Sequence, residues 1–275
     1  MIVWIASCPR SGNTLLRAIL NRCFGAKSHS VYDSIESDNM QSVVGHEPLG
    51  MPRDDFLAQA RATSEVYYIK THEYPPDEQE KAIYVVRDAR AALASHRNYC
   101  RDIDMRTIPL ECLILGVHPA IHWSNHVEAW LARPSVLLLH FEELSAPSRE
   151  TLERISAFVG LSILQNFDLT FGDLHALNSE FFRAGRNDEG IVEVELECPA
   201  LFWRTHGRVM QRLGYVDAVP ELTFAGLRCV SEYLRAFCRL ETSRKPALPY
   251  PPRLRASYRK HAWRVLAETF GSHSR

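Results

Sequence analysis

A lysine and a histidine two residues apart, Lys70 and His72, lie in the stretch YYIKTHEYPP. The stretch is typical of the end of a strand, where side chains two residues apart point to the same side. An imidazole can remove a proton while a neighbouring cation stabilises developing negative charge. A single histidine in a loop is usually not catalytic, so this pair indicates a site only if other reactive or anion-binding residues join it.

The segment CPRSGNT, Cys8–Thr14, has the composition of an anion-binding loop between a strand and a helix. Gly12 allows a ligand to approach the backbone closely, and the first turn of the helix offers unpaired N–H groups. The polar side chains of the loop add donors: Arg10, Ser11, Asn13 and Thr14. The nucleotide-binding P-loop would have Gly-Lys followed by Ser or Thr, which is not present. The alternative is an ordinary turn in which Ser, Asn or Thr caps the helix.

A third segment, IYVVRDARAALASHRNY, has Arg87 at the predicted end of a strand and Ser95 eight residues later. That spacing places Ser95 about two turns into the following helix. Both side chains could therefore contact one phosphate, with the arginine as a forked and permanently charged donor. The alternative is a solvated basic helix face, because Arg90 and Arg97 also contribute charge.

Short β-branched or aromatic runs alternate with helical patterns along the chain, which predicts an α/β fold with a central, mainly parallel sheet flanked by helices. The predicted strands are Ile2–Ala6, Val66–Ile69, Ile83–Val86 and Val136–His140. The predicted helices are Gly12–Phe24, Ala89–Arg101, Ala120–Leu131, Arg149–Val159, Pro199–Leu213 and Leu222–Leu240. Ligands of such folds bind at the carboxyl ends of the strands, where all three segments lie.

The composition is that of an ordinary globular enzyme, with 275 residues, 46% apolar and 24% charged residues and a net charge of −1. This charge does not suggest nucleic-acid binding. The seven cysteines have no CxxC spacing, and no signal peptide or membrane span is evident, so we expect a cytoplasmic protein.

Residues 243–275 are predicted to form a Pro-rich linker and a basic amphipathic helix that could contact an acidic surface.

The three segments, in this order, resemble the sulfotransferases that use 3′-phosphoadenosine 5′-phosphosulfate (PAPS). CPRSGNT is similar to the family's 5′-phosphosulfate loop YPKSGTTW, KTH is identical to its catalytic element, and the third segment is similar to its 3′-phosphate element. Three further matches follow, to the WxxHVxxW helix, the FLFYEDL strand and the FxRKG segment: Trp123–Trp130, Leu137–Leu144 and Phe181–Gly185. The first loop most resembles that of bacterial members, including those that modify glycopeptide antibiotics.

This resemblance implies a single α/β domain of the P-loop nucleotide-hydrolase type over residues 1–242. It also implies sulfuryl transfer from PAPS to a hydroxyl of a small molecule, glycan or glycopeptide, with PAP as product and no metal. His72 would be the catalytic base, and Lys70 and Arg10 would balance charge. The implied nucleotide-binding residues are Arg10, Ser11, Gly12, Asn13, Thr14, Arg87, Ser95, Arg183, Ala184 and Gly185. A homodimer is a further possibility.

The chain departs from the family pattern at three positions. Arg10 replaces the loop lysine, Leu15 replaces the tryptophan that stacks on adenine, and Ala184 replaces the lysine of FxRKG. Two other functions remain as alternatives. A P-loop kinase would need a lysine after the loop glycine, where Asn13 stands. A non-catalytic nucleotide-binding protein of the same fold would need neither Lys70 nor His72.

Two further groups of residues are candidate sites. His118, His122 and His126 recur every four residues, a spacing that could bind metal, although no carboxylate or cysteine partner is evident. The acceptor would lie against residues 30–53 and 99–116, which carry the candidate pocket-lining side chains: Tyr32, His46, Tyr99 and Met105. Such loops vary freely on a shared scaffold, so they do not identify the acceptor.

Overall fold

A parallel sheet of five strands, in the order β2-β3-β1-β4-β5, forms the centre of the computed structural model. The strands are β1 (Ile2–Ser7), β2 (Ser28–Ser30), β3 (Tyr67–Thr71), β4 (Lys81–Val86) and β5 (Val136–His140). The structure describes residues 1–32, 38–105, 108–116, 121–177 and 190–221. Every strand pairing is parallel, so the predicted α/β fold class with a central parallel sheet is confirmed.

The central strand β1 is buried along its whole length, because its residues IVWIAS have neighbours on both faces of the sheet. Ile5 is paired with Lys70 of β3 on one side and with Ile83 of β4 on the other. This register brings the carboxyl ends of β1, β3 and β4 to the same edge of the sheet. The loop after β1, the KTH segment and Arg87 all lie at that edge.

The described residues also form helices, some between the strands and some after β5. They are α1 (Asn13–Phe24), α2 (Asp38–Val44), α3 (Arg53–Ala62), α4 (Ala89–Asp102), α5 (Leu110–Ile114), α6 (Trp123–Leu131), α7 (Phe141–Leu144), α8 (Arg149–Val159), α9 (Phe171–Leu177), α10 (Ile191–Glu197) and α11 (Pro199–Arg212). In α1, Leu16, Ile19 and Leu20 recur at helical spacing and join the main hydrophobic core with Ile5. The helix ends at Gly25, whose φ of 67° is the left-handed conformation typical of helix ends.

The chain forms two compact units. The first, Met1–Arg87 with Asn125–Glu189, contains the sheet and the core around α1. The second, Asp88–Ser124 with Gly190–Arg275, contains α4, α5, α10 and α11. Within this second unit, α10 is joined to α4 by ion pairs, and Phe202 and Trp203 of α11 are buried.

The four predicted strands are confirmed, and so are the predicted helices that correspond to α1, α4, α6, α8 and α11, with ends that differ by at most three residues. The sequence missed β2 and the helices α2, α3, α5, α7, α9 and α10, which have four to ten residues and are too short or too polar to give a clear periodicity. Several predictions lie outside the described residues: the helix 222–240, the segment Phe181–Gly185 with Arg183 and Ala184, and the basic tail 243–275.

No helix in the described ranges is long and apolar enough to cross a membrane. The five described cysteines form no disulfide bond with one another: Cys8, Cys23, Cys100, Cys112 and Cys198.

Candidate functional site

The loop after β1 is a tight turn built on two left-handed residues. The N–H of Ser11 donates to the carbonyl of Cys8 at 3.3 Å. Arg10 and Gly12 have φ angles of 65° and 102°. A Cβ on Gly12 would lie 2.6 Å from the ring of Phe141, so only glycine fits there. A non-glycine residue in the left-handed region, as at Arg10, is uncommon and often marks a functional site.

Helix α1 starts after its N-cap residue Gly12, which has no side chain to cap it, and Ser11 Oγ and Asn13 Oδ1 have no hydrogen-bond partner among the described residues. This observation contradicts the alternative in which Ser, Asn or Thr caps an ordinary turn. The first-turn N–H groups of α1 therefore remain available to an anion, together with the positive end of the helix dipole.

The polar side chains of the loop point in different directions. The hydroxyl of Ser11 is buried, and it has no hydrogen-bond partner among the described residues. Leaving such a group unsatisfied costs about 1–3 kcal/mol, so its position favours a ligand that accepts its hydrogen bond. The side-chain amide of Asn13 instead donates to the carbonyl of Ile5 at 2.8 Å. Asn13 can therefore contribute its backbone N–H to an anion while its side-chain NH₂ group ties the loop to β1.

His72 is held in one orientation directly after β3. Its Nδ1 lies 2.8 Å from the carbonyl oxygen of Ser7, which can only accept, so Nδ1 carries the proton. In the neutral ring, Nε2 then carries the lone pair and can accept a proton. The backbone N–H of His72 donates to the hydroxyl of Tyr32 at 2.7 Å, and the two rings stack with centroids 5.8 Å apart. The geometry suits a general base.

Lys70 lies near the end of β3, paired with Ile5 of β1 and Ser30 of β2. Only 8% of the residue is exposed. A buried cation is retained where an opposite charge or a set of acceptors compensates its lost hydration. Lys70 thus adds positive charge to the same edge of the sheet as His72.

Arg87 follows β4 and contacts the loop after β1. Its Nη1 donates to the carbonyl of Arg10 at 3.3 Å. Its guanidinium carbon lies 4.4 Å from the centre of the Phe141 ring, a cation–π distance. Phe141 also packs against Gly12, so one aromatic ring fixes both the arginine and the loop.

The other arginines of the third segment have structural partners in the second unit. Arg90 pairs with Asp88 at 2.6 Å and with Glu195 at 2.5 Å. Arg97 pairs with Glu193 and Glu197. The alternative of a solvated basic helix face is therefore wrong for these two arginines. Ser95 is half-buried on α4, and its cooperation with Arg87 on one phosphate stays a prediction.

Sequence reasoning missed Ser7, Tyr84 and Phe141 as parts of this region. The carbonyl of Ser7 fixes the tautomer of His72, and Tyr84 donates to Nδ1 of His126 at 2.8 Å. The only available signal was that each residue lies at or near the carboxyl end of a predicted strand.

Leu15, at the position of the family's adenine-stacking tryptophan, belongs to the hydrophobic core. Of the candidate acceptor-pocket residues, Tyr32 lies against His72, whereas His46 accepts a hydrogen bond from the buried Arg17. Met105 is 83% exposed, and Tyr99 belongs to α4.

Only part of the candidate histidine metal site belongs to the described residues, because His118 lies outside them. His126 bonds the carbonyl of Glu73, and the ring of His122 lies 5.0 Å from that of His206. In the part of the chain that the structure describes, no three His, Cys, Asp or Glu side chains are grouped in a way that could hold a metal ion.

Comparison with known proteins identifies the family. A sulfotransferase-domain model matches residues 2–171, which is more than half of the chain. A mouse sulfotransferase, SULT7A1, solved in complex with PAP, has a similar fold, with a TM-score of 0.54, 19% identity and coverage of 84% of this chain and 88% of that one. Retinol dehydratase in complex with androsterone and PAP is also similar, with a TM-score of 0.52, 16% identity and coverage of 80% and 82%. No curated protein sequence matches the chain. The chain belongs to the sulfotransferase-domain family, as its sequence motifs predict.

Proposed function

We propose that the protein transfers a sulfuryl group from PAPS to a hydroxyl of an acceptor. The observation that carries this proposal is the meeting of three groups at one edge of the sheet. They are the Arg-Ser-Gly loop after β1, Lys70 near the end of β3, and His72 with its proton fixed on Nδ1. Family membership and the PAP bound to both similar structures support the choice of donor.

The loop fits the 5′-phosphosulfate of such a donor. Arg10 supplies charge, the buried hydroxyl of Ser11 supplies an unsatisfied donor, and Gly12 lets the first-turn N–H groups of α1 approach the ligand. Thr14 is buried in the same first turn. Arg87, beside this loop, is the candidate for the 3′-phosphate, since its fork suits phosphate oxygens.

The chain's own residues have three roles in the proposed reaction: they accept a proton, balance negative charge and position the donor. His72 Nε2 accepts the proton of the acceptor hydroxyl, while Nδ1–H stays bonded to Ser7. Lys70 and Arg10 balance the negative charge that develops on the transferred group and on the leaving oxygen. PAPS, when bound, supplies the sulfuryl group, whose bond to the phosphate oxygen breaks as the bond to the acceptor oxygen forms. The loop and Arg87 hold the donor in line for this exchange.

The kinase alternative requires a lysine after the loop glycine to contact the β- and γ-phosphates, and Asn13 occupies that position with its amide bonded to Ile5. A non-catalytic nucleotide-binding protein would not need His72 fixed in the tautomer whose Nε2 accepts a proton. Three finer assignments stay predictions: the acceptor as a small molecule, glycan or glycopeptide, a homodimer, and a cytoplasmic location.

Calorimetric titration of the full chain with PAP and with ATP, each with and without Mg²⁺, tests the donor assignment. We expect PAP to bind at least about tenfold more tightly than ATP, because a matched 3′-phosphate site adds about 1.5–3 kcal/mol through charged hydrogen bonds. Added Mg²⁺ should leave PAP binding unchanged. Tight ATP binding that depends on Mg²⁺, with weaker PAP binding, would instead indicate a nucleotide kinase.

A further inference from the structure

A buried hydrogen-bond network joins the loop after β1 to the residue that follows His72. It consists of Cys8 at the start of the loop, Tyr84 of β4, His126 of α6 and the carbonyl of Glu73. Cys8, Tyr84 and His126 are almost completely buried. None of these groups has a role in the proposed proton transfer, so the network calls for another explanation.

The carbonyl of Glu73 is the end point of the network. It accepts two hydrogen bonds from α6, from His126 Nε2 at 2.8 Å and from Trp130 Nε1 at 3.0 Å. His126 and Trp130 are four residues apart and share one face of the helix. The carboxylate of Glu73 is also bound by both Nη atoms of Arg53, at 2.8 and 2.6 Å. Glu73 is thus fixed through both its backbone and its side chain.

The Glu73 carbonyl fixes the protonation of the imidazole in this network. Since a carbonyl can only accept, Nε2 of His126 carries the proton, and Nδ1 must accept. Burial lowers the pKa of His126 to about 4, so the ring is neutral at physiological pH. Burial raises the pKa of Tyr84 well above its usual range, so the phenol stays a donor to Nδ1, 2.8 Å away. The thiol of Cys8, 3.3 Å from Nδ1, also keeps its proton, since burial raises its pKa to about 12.

We infer that His126 is a positioning residue for the base: through the carbonyl of Glu73 it fixes the backbone that sets the orientation of His72. Tyr84 holds His126 in the tautomer that donates to this carbonyl. The ring of His72 must keep Nδ1 on the Ser7 carbonyl for Nε2 to face an acceptor. A shift of its backbone would break that hydrogen bond and misplace the reacting nitrogen.

The test compares His126→Leu with His126→Gln in the full chain. Leucine removes the donor, whereas the amide of glutamine can still donate to the carbonyl of Glu73. We expect kcat for sulfuryl transfer from PAPS to fall about 10- to 100-fold in the leucine variant, because misplacement by about 1 Å costs this much. The glutamine variant should recover most of the rate. The dissociation constant for PAP should change much less than kcat in both, since His126 contacts the anion loop only at Cys8 and not at the donors proposed for PAP.

A second readout does not depend on activity. Long-range ¹H–¹⁵N NMR of the histidine-labelled protein distinguishes the two neutral tautomers of each ring. In the wild type His72 should show the Nδ1–H form and His126 the Nε2–H form. In His126→Leu, His72 should shift towards a mixture of tautomers. Tyr84→Phe is a milder change, because it keeps the donor of His126, and should change the tautomer populations of His72 less. This variant replaces the leucine variant in the test if the leucine variant does not fold.

His29→Leu is the matched control. It removes another buried imidazole, whose Nδ1 bonds the carbonyl of Glu47, outside the network. This control should keep both kcat and the His72 tautomer. The inference is overturned if His126→Leu and Tyr84→Phe leave the tautomer of His72 unchanged, or if His126→Leu and His29→Leu lower kcat equally. The inference rests on the proposed function only for the role of His72 as the base. A wild type that transfers no sulfuryl group would refute that function, whereas the NMR result would still decide whether His126 positions His72.

Discussion

The variant His72→Ala is expected to lower kcat for sulfuryl transfer by about 10²- to 10⁴-fold, the usual contribution of a general base. The reason is the position of the ring: Nδ1–H is bonded to Ser7, which leaves the lone pair of Nε2 to take the acceptor's proton. The binding of PAP should remain close to that of the wild type, because the loop after β1 and Arg87 do not depend on the imidazole. Steady-state kinetics with labelled PAPS, together with calorimetry, measure both quantities.

His72→Asn separates packing from proton transfer. The asparagine amide can keep a donor near the position of Nδ1 and so preserve the hydrogen bond to Ser7, but it has no basic nitrogen. Its kcat should be as low as that of the alanine variant. If either variant turns over at the wild-type rate with the same acceptor, His72 is not the base.

Arg87→Leu should produce the largest loss of donor affinity. A charged hydrogen-bonded pair contributes about 1.5–3 kcal/mol, so the dissociation constant for PAP should rise by about 10- to 150-fold. Arg87→Lys keeps the charge but not the fork, and should fall between the wild type and the leucine variant. Because Arg87 also bonds the carbonyl of Arg10, part of the loss would come from a looser loop. Calorimetric titration with PAP gives the comparison directly.

Arg97→Leu is the matched control for this prediction. Arg97 belongs to the same segment of sequence, but its guanidinium pairs with Glu193 and Glu197. Its removal should leave PAP affinity unchanged. Equal weakening by Arg87→Leu and Arg97→Leu would show that the effect is one of general charge, and the 3′-phosphate assignment would then be wrong.

The sequence was sufficient to predict the parts of the fold with strong local patterns. The β-branched strand β1 and the amphipathic helix α1 each extend over many residues of a single periodicity, and the anion loop lies between them. Strand β2, SHS, is three polar residues long and gives no such pattern. Helix α10, IVEVELE, alternates apolar and acidic residues as a strand would, yet it is helical. Its glutamates form ion pairs with Arg90 and Arg97, which are about a hundred residues away in sequence, so the local pattern does not predict these contacts.

The candidate site was predictable in its residue types but not in its contacts. KTH identified His72, while the partner that fixes its tautomer is a backbone carbonyl 65 residues away in sequence. The side chain of Asn13 was expected to donate to an anion, but its amide donates to the carbonyl of Ile5 in β1. The WxxHVxxW pattern marked His126 without its partners Tyr84 and Glu73, since these come from separate strands and loops. Packing of distant segments decides such contacts, and spacing along the chain does not encode them.

The most direct test of PAPS-dependent transfer is to incubate the full chain with ³⁵S-labelled PAPS and a panel of phenol, sugar and glycopeptide hydroxyls, then measure the label on each acceptor. The proposed function predicts labelled product from at least one class with the wild type, and its loss with His72→Asn. A wild type that binds PAP but labels no acceptor, or a His72→Asn variant that labels it equally well, would contradict the proposal.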